Sequence, residues 1–164
     1  EMCIETDYNL LYREDERELI PVCQQYDVAL TPYSPMASGH LARPTWNSNS
    51  TRSTTDGTMR NKYDQAQAQD MPIVERVLEV AEHHGVPMAQ VALAWHWACT
   101  YRGLFEAERV DDAIAALGVQ LTEDDIAHIE EPYTAHELVG PLSRPGEKAL
   151  AGTLAPTLKE TTRN

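Results

Sequence analysis

Short apolar stretches alternate with an amphipathic one at the start of the chain. Residues 3–11 contain closely spaced Cys, Ile, Tyr and Leu, which predicts a strand and its exit. Residues 14–26 predict a helix, because acidic residues fill its first turn and apolar residues then recur at helical spacing. Residues 28–33 form an apolar run bounded by proline, as in a buried parallel strand. Strand, helix and strand with short connections make a βαβ unit, which builds barrels or doubly wound sheets.

Helical periodicity dominates the middle of the chain. The first of these helices is expected to begin at Asp70 as its N-cap and to end at a glycine, and the second to cover about residues 88–100. A third is predicted over about residues 109–117. A fourth starts at the cap Thr122, with Asp125 in the capping-box position. The chain is therefore of the α/β class and rich in helix.

Two segments carry no sustained period. Residues 35–70 are rich in Ser, Thr, Asn and Arg, and an irregular segment of this length is usually a functional lid or disordered. Residues 141–164 predict a flexible C-terminal tail. The organisation expected is one folded unit over residues 1–140, with a lid loop at 35–70, followed by the tail.

Charge is the strongest compositional signal. Thirteen basic residues against 26 acidic ones give a net charge of −13 over 164 residues. Such a field repels nucleic acid and anionic lipid, so both are excluded as partners. It also disfavours the compact state unless salt screens it, which predicts a halophilic-like, high-salt cytoplasm. The alternative is an ordinary acidic protein that its charge keeps in solution.

Cysteine content and hydropathy indicate the cellular compartment. The three cysteines are odd in number and form no C-x-x-C pair, which favours free thiols in a reducing cytosol over a disulfide. No run of about 18 apolar residues is present to cross a membrane. The first residues lack the basic and apolar regions of a signal peptide. A cytoplasmic location is the expectation.

Three segments resemble a known family. The similarity to the aldo-keto reductase family lies in Tyr8-Asn9-Leu10-Leu11-Tyr12-Arg13, Pro32-Tyr33-Ser34-Pro35-Met36-Ala37-Ser38-Gly39 and Gln90-Val91-Ala92-Leu93-Ala94-Trp95. The family fold is a (β/α)8 TIM barrel with its site at the carboxyl ends of the strands. By this resemblance the chain supplies strand 6 onward with the closing helices, which is the C-terminal half of an incomplete barrel.

The resemblance implies a nicotinamide-nucleotide site. Tyr33 matches the aromatic residue that stacks on the nicotinamide ring, and Ser34, Met36 and Ser38 match the turn that wraps the pyrophosphate. Gly39 would allow close approach of the backbone there. The alternative for this segment is an ordinary strand-to-loop turn punctuated by proline.

The same resemblance implies contacts with the far end of the cofactor. Arg109 matches the arginine that meets the adenine end and often the 2′-phosphate, and Asp112 matches an acidic neighbour that contacts the adenine amine. The alternative is a solvated charge pair that opens a helix. The cofactor expected is NADP, with NAD left open.

Two residues differ from the family pattern at positions that would contact the nicotinamide nucleotide. Glu5 replaces the glutamine that hydrogen-bonds the nicotinamide amide, and a carboxylate cannot donate to the amide oxygen. Glu106 stands where a phosphate-binding cation is expected. Residues 96–108 also lack the apolar run of an eighth strand, and a frameshift or deletion would explain this.

No residue of the chain matches the family's catalytic tetrad. That tetrad is a Tyr acid tuned by a Lys paired with an Asp, beside a His, and it belongs to the first half of the barrel. Lys62 and Tyr63 are adjacent in the lid loop, which cannot supply strand-end geometry. His83-His84 could suggest a metal, but neither histidine has a partner at i+4, so no metal site is predicted.

The function predicted is therefore that of one portion of an enzyme. The chain is expected to be the C-terminal portion of an NADP-dependent reductase of aldehydes or ketones, inactive by itself, with a small-molecule carbonyl substrate. The alternative is a non-catalytic remnant, or a subunit of a split barrel. Exposed core strands then predict self-association or a partner chain that completes the barrel.

Overall fold

A pair of parallel strands forms the sheet of the chain. The computed structural model describes residues 3–46, 63, 66–99 and 114–135. Strand β1, Cys3–Asp7, pairs with strand β2, Ala29–Tyr33, in parallel, with Asp7 beside Tyr33 at the carboxyl edge. Helix α1, Leu19–Tyr26, connects them. The predicted βαβ unit is present.

The connecting helix is shorter than predicted. A 3-10 turn at Glu14–Glu16 precedes α1, which starts only at Leu19. Pro21 explains the break, because a helix running continuously from residue 14 would need an N–H at position 21 to bond Arg17, and proline has none. In the first turn of α1 the same proline is tolerated, since that N–H would have no intrahelical partner.

Helices make up the rest of the described structure. Helix α2 is Gln67–His84, α3 is Met88–Cys99 and α4 is Glu123–Glu130. The caps expected for α4 are present: the Asp125 N–H donates to Thr122 Oγ1 over 3.1 Å, and the Thr122 N–H donates to the Asp125 carboxylate over 2.9 Å. The third predicted helix, at about 109–117, is described only from residue 114 onward, and residues 114–116 are helical.

The predicted start of α2 is wrong. Asp70 is not the N-cap of α2: the helix begins three residues earlier, at Gln67, and Asp70 is buried within it. Pro72 lies inside α2 and removes only one backbone hydrogen bond from this 18-residue helix. The described residues of the predicted lid loop at 35–70 include a 3-10 segment at Ala37–Ala42 and the first residues of α2, and residues 47–62 of this loop lie outside the described residues. The predicted tail at 141–164 lies outside the described residues.

One hydrophobic core joins these elements. Its fully buried side chains come from the exit of β1, from α2, from α3 and from α4: Tyr8, Leu10, Leu11, Ile73, Val74, Val77, Val91, Trp95 and Ile129. On α3, Trp95 and His96 are both fully buried. Within the described residues, no helix combines the length and the apolarity needed to cross a membrane.

Candidate functional site

The carboxyl end of β2 presents an aromatic side chain. Along this strand Leu30 and Pro32 are buried, whereas Tyr33 is 61% exposed. The alternation follows from the pleat, which sends successive side chains to opposite faces. The Tyr33 ring is therefore not part of the packed interior and can be covered by a planar ligand.

The segment after Tyr33 has an unusual backbone. Ser34, Ala37 and Ser38 have φ values of 57°, 48° and 56°, and Gly39 has φ 94°. Left-handed conformations cost non-glycine residues about 1–2 kcal/mol each, and such strain concentrates at ligand clamps. At Gly39 the sequence supplies the residue that tolerates this φ. Residues 34–39 are called the turn below.

Two buried side chains hold the turn from outside. Asn9 donates from Nδ2 to the Ser34 carbonyl over 3.1 Å, and its Oδ1 accepts the Leu11 N–H over 3.0 Å. His96, on α3, donates from Nε2 to the Pro35 carbonyl over 3.2 Å. Two consecutive carbonyls of the turn are thus fixed by β1's exit and by α3. Sequence reasoning missed both anchors, although Asn9 lies within one of the segments that carried the resemblance.

His96 is neutral at physiological pH. Burial lowers the pKa of His96 to about 4, although its hydrogen bond to the Pro35 carbonyl acts in the opposite direction. The ring contacts Tyr8 and Trp95 edge-on, with centroids 5.6 Å and 5.0 Å away. A neutral imidazole with its proton on Nε2 suits an apolar pocket and satisfies the carbonyl. His96 is therefore a positioning residue for the turn.

A guanidinium group lies beside the turn. A Cβ placed on Gly39 would lie 3.6 Å from Arg43 Nη1, so this glycine and the Arg43 side chain are close neighbours. Arg43 Nε and Nη2 are buried and have no hydrogen-bond partner within the described part of the chain. Burial lowers the pKa of Arg43, yet a guanidinium stays protonated in proteins. Nothing in the residue spacing singled out this cation.

Some of the remaining predicted site residues lie in the described part of the chain, and the others lie outside it. Met36 packs against a small cluster of Leu93 and Ala116, and Ser38 is half-buried in the turn. Glu5 is exposed on β1, opposite Thr31 of β2, two residues before the strand ends. The structure thus brings Tyr33, Ser34, Met36, Ser38 and Gly39 together at one strand end. Arg109, Asp112 and Glu106 lie outside the described residues.

Tyr63 lies in the core beside the turn. Its side chain is fully buried, and its hydroxyl accepts a hydrogen bond from Asn9 Nδ2 over 3.2 Å. Burial raises the pKa of Tyr63, which is the opposite of the tuning that a general acid near neutral pH requires.

Comparison with known proteins places this geometry in a family. A model of the aldo/keto reductase family matches residues 2–133. Versiconal hemiacetal acetate reductase of Aspergillus parasiticus is 40% identical over 147 residues, which are 86% of this chain and 41% of that protein. Aldo-keto reductase AMT2 of Alternaria alternata is 37% identical over 135 residues, which are 80% of this chain and 36% of that protein. The chain thus spans about two fifths of the length of these relatives.

A solved structure shows the same fold. A thermostable aldo-keto reductase crystallised with the inhibitor epalrestat superposes with a TM-score of 0.50 at 24% identity, over 80% of this chain and 39% of that one. The parallel strand pair and its helices therefore correspond to part of a TIM barrel, which confirms the fold class predicted from the sequence.

Proposed function

This chain belongs to the aldo/keto reductase family, and we propose that it carries the nicotinamide and pyrophosphate portion of an NADP site in a reductase of aldehydes or ketones. One observation supports this most directly. An exposed tyrosine ends a parallel strand and is followed at once by a strained turn, beside which lies a guanidinium whose buried nitrogens have no partner among the described residues.

The strand end suits the nicotinamide. Tyr33 is 61% exposed, and an aromatic ring provides a flat apolar surface on which a planar heterocycle stacks. When bound there, NADPH would supply a hydride from the ring face turned away from Tyr33. Glu5 cannot donate a hydrogen bond to the carboxamide oxygen, so the nicotinamide would be oriented mainly by stacking.

The turn and Arg43 suit the phosphates. A polyanion approaching a chain of net charge −13 needs a local cation, and Arg43 provides one next to Gly39. Guanidinium groups bind phosphate oxygens through two parallel N–H bonds. Buried nitrogens without a partner are also costly, and a phosphate would remove that cost. By the family resemblance, Arg109 would meet the adenine end and favour NADP over NAD, and Asp112 would contact the adenine amine.

The chemistry of carbonyl reduction also needs a proton. Among the described residues, Tyr63 is buried with a raised pKa and holds its hydroxyl against Asn9, so it cannot reach a carbonyl oxygen. We therefore expect the acid and its partners to come from outside this chain. The chain should bind the cofactor without reducing a substrate by itself.

A titration with NADPH, followed by its fluorescence, tests the site. The Tyr33→Ala change should weaken binding about fivefold, for a lost aromatic contact of about 1 kcal/mol. Arg43→Gln should weaken it about tenfold or more, as expected for a charge-assisted hydrogen bond of about 1.5–3 kcal/mol. Tyr26→Ala is the matched control, because Tyr26 is 68% exposed on α1, away from the strand end.

The outcomes separate the parts of the proposal. Equal affinities for the parent chain and Tyr33→Ala would show that the stacking assignment is wrong. Unchanged binding in Arg43→Gln would remove the phosphate role of that residue. Rapid oxidation of NADPH by the isolated chain with an aldehyde would contradict the inference that the proton donor lies elsewhere.

A split barrel is the second candidate function. Among the described residues, β1 and β2 pair only with each other, so each has an outer edge without a neighbouring strand. Open parallel edges recruit further strands. A partner chain or a second copy that supplies strands would then be needed for activity. Light scattering should show an oligomer or a complex; a monomer with full reductase activity would contradict this candidate.

A further inference from the structure

The second site concerns the two histidines at the end of α2. We propose that His83, His84 and Asp125 form a binding site for a borderline-soft divalent transition-metal ion, with zinc as the representative ion. Residue spacing argued against a metal here, because neither histidine has a partner at i+4. The third group comes instead from the first turn of α4, 41 residues further along the chain.

The three side chains converge. One ligand atom from each residue lies within 4.8 Å of the other two, and the two imidazole rings have centroids 5.3 Å apart. His84 Nε2 donates to Asp125 Oδ2 over 2.9 Å. Ligand atoms around a tetrahedral zinc are about 3.3 Å apart, given metal–nitrogen bonds of about 2.0–2.1 Å. A small rotation of the exposed His83 ring would shorten the distances between the ligand atoms to this value.

The fold favours a cation at this point. α2 ends here, with Gly85 in the left-handed conformation at φ 65°, and the carboxyl end of a helix carries partial negative charge. The Asp125 carboxylate accepts hydrogen bonds from the Thr122 N–H and from His84 Nε2, which hold it beside the two histidines. Exposed Glu123 and Asp124 add negative charge nearby.

Binding would replace the hydrogen bond with two bonds to the ion. The ring hydrogen of neutral His84 moves from Nε2 to Nδ1 by exchange with solvent, and the Nε2 lone pair and the Asp125 oxygen then share the metal. Two imidazoles and a carboxylate suit zinc, copper and nickel better than calcium or magnesium, which prefer oxygen ligands. Three protein ligands leave a position for water. Access is open, since His84 also lines a surface depression of about 450 Å³ with Gln90 and Gln120.

A neighbouring histidine–carboxylate pair serves as a comparison for the proposed metal site. His128 Nε2 and Glu79 Oε2 are 2.7 Å apart and connect the same two helices. Within the described residues, no further histidine, cysteine or acidic group joins them to make a cluster of three. Both pairs tie α2 to α4, but only the first has the ligand number of a metal site. His128→Ala is therefore the matched control for loss of a histidine between these helices.

Calorimetric titration of the 164-residue chain with zinc chloride tests the proposal. We expect one zinc per chain, at least tenfold weaker binding in His83→Ala and in Asp125→Asn, and no change in His128→Ala. His83→Ala leaves the His84–Asp125 bond and the helix cap intact, so its fold should persist. Asp125→Asn keeps an amide oxygen that can accept the Thr122 cap bonds but removes the charge.

Cobalt as a spectroscopic probe separates this site from the thiols of Cys3 and Cys23. Nitrogen and oxygen ligation should give weak visible bands and no intense sulfur charge-transfer band. A strong charge-transfer band, or zinc affinity in His83→Ala equal to that of the parent chain, would overturn the proposal. In the parent chain and in His128→Ala zinc should raise the unfolding temperature, because it binds the folded state, and in His83→Ala the rise should be lost.

Discussion

His96 should make this chain labile to mild acid. The imidazole is fully buried, and burial lowers its pKa to about 4 from an ordinary value of 6.5. The difference, 6.5 − 4 or about 2.5, corresponds to about 3 kcal/mol at about 1.4 kcal/mol for each pH unit. Between these two pKa values the unfolded chain binds more protons than the folded one. The contribution is therefore fully present above pH 6.5 and is lost as the pH falls toward 4.

Urea unfolding followed by circular dichroism measures this effect. The parent chain and His96→Gln are compared at pH values from 7.5 to 4, so that carboxylates common to both cancel in the difference. The glutamine amide can still donate to the Pro35 carbonyl but cannot become charged. We expect the free energy of unfolding of the parent chain to fall by about 3 kcal/mol more than that of the variant over this range. Parallel curves would refute the reasoning, and His128→Gln controls for the exchange at an exposed position.

Three further substitutions test the packing and the helix ends by the same unfolding measurement. Trp95→Phe removes the indole N–H that donates to Glu130 over 2.7 Å. It should lower the free energy of unfolding by about 2 kcal/mol, as for a hydrogen bond to a charged group. No loss would mean that Arg13 alone satisfies Glu130. Gly85→Ala should cost about 1 kcal/mol, because its φ of 65° is strained for alanine while open space surrounds the new methyl group. Thr122→Ala should cost about 1 kcal/mol through the lost cap of α4, and a smaller cost for Thr122→Ser would confirm the role of the hydroxyl.

Local signals predicted most of the fold. The parallel strand pair, the glycine that ends α2 and the capping box of α4 depend on residues within a few positions of each other, and all are present. The errors arose where two local signals competed. Asp70 is a good cap residue near Pro72, yet the helix extends past both because the burial of α2 against the core outweighs the loss of one backbone bond.

Sequence patterns predicted only part of the candidate site. Tyr33 and the turn were found because they form one continuous segment. The groups that hold the turn were not, since Asn9 and His96 lie 25 and 61 residues from the carbonyls they bond. Arg43 is one of ten arginines in the chain and has no local signature; only its burial beside Gly39 distinguishes it. Residue spacing could not indicate the proposed metal site for the same reason, because Asp125 approaches from another helix.

The energetics of the turn link the packing of α3 to ligand binding. Three non-glycine residues with positive φ cost about 1 kcal/mol each or more, while the hydrogen bonds from Asn9 and His96 contribute about 1 kcal/mol each. The two bonds, about 2 kcal/mol together, offset only part of a strain of about 3–6 kcal/mol, so loss of either anchor should leave the turn less stable in this conformation. Protonation or replacement of His96 should therefore loosen the turn before the rest of the chain unfolds. At pH values where the fold persists, loss of this anchor should weaken NADPH binding even though, in our proposal, His96 holds the turn and not the cofactor.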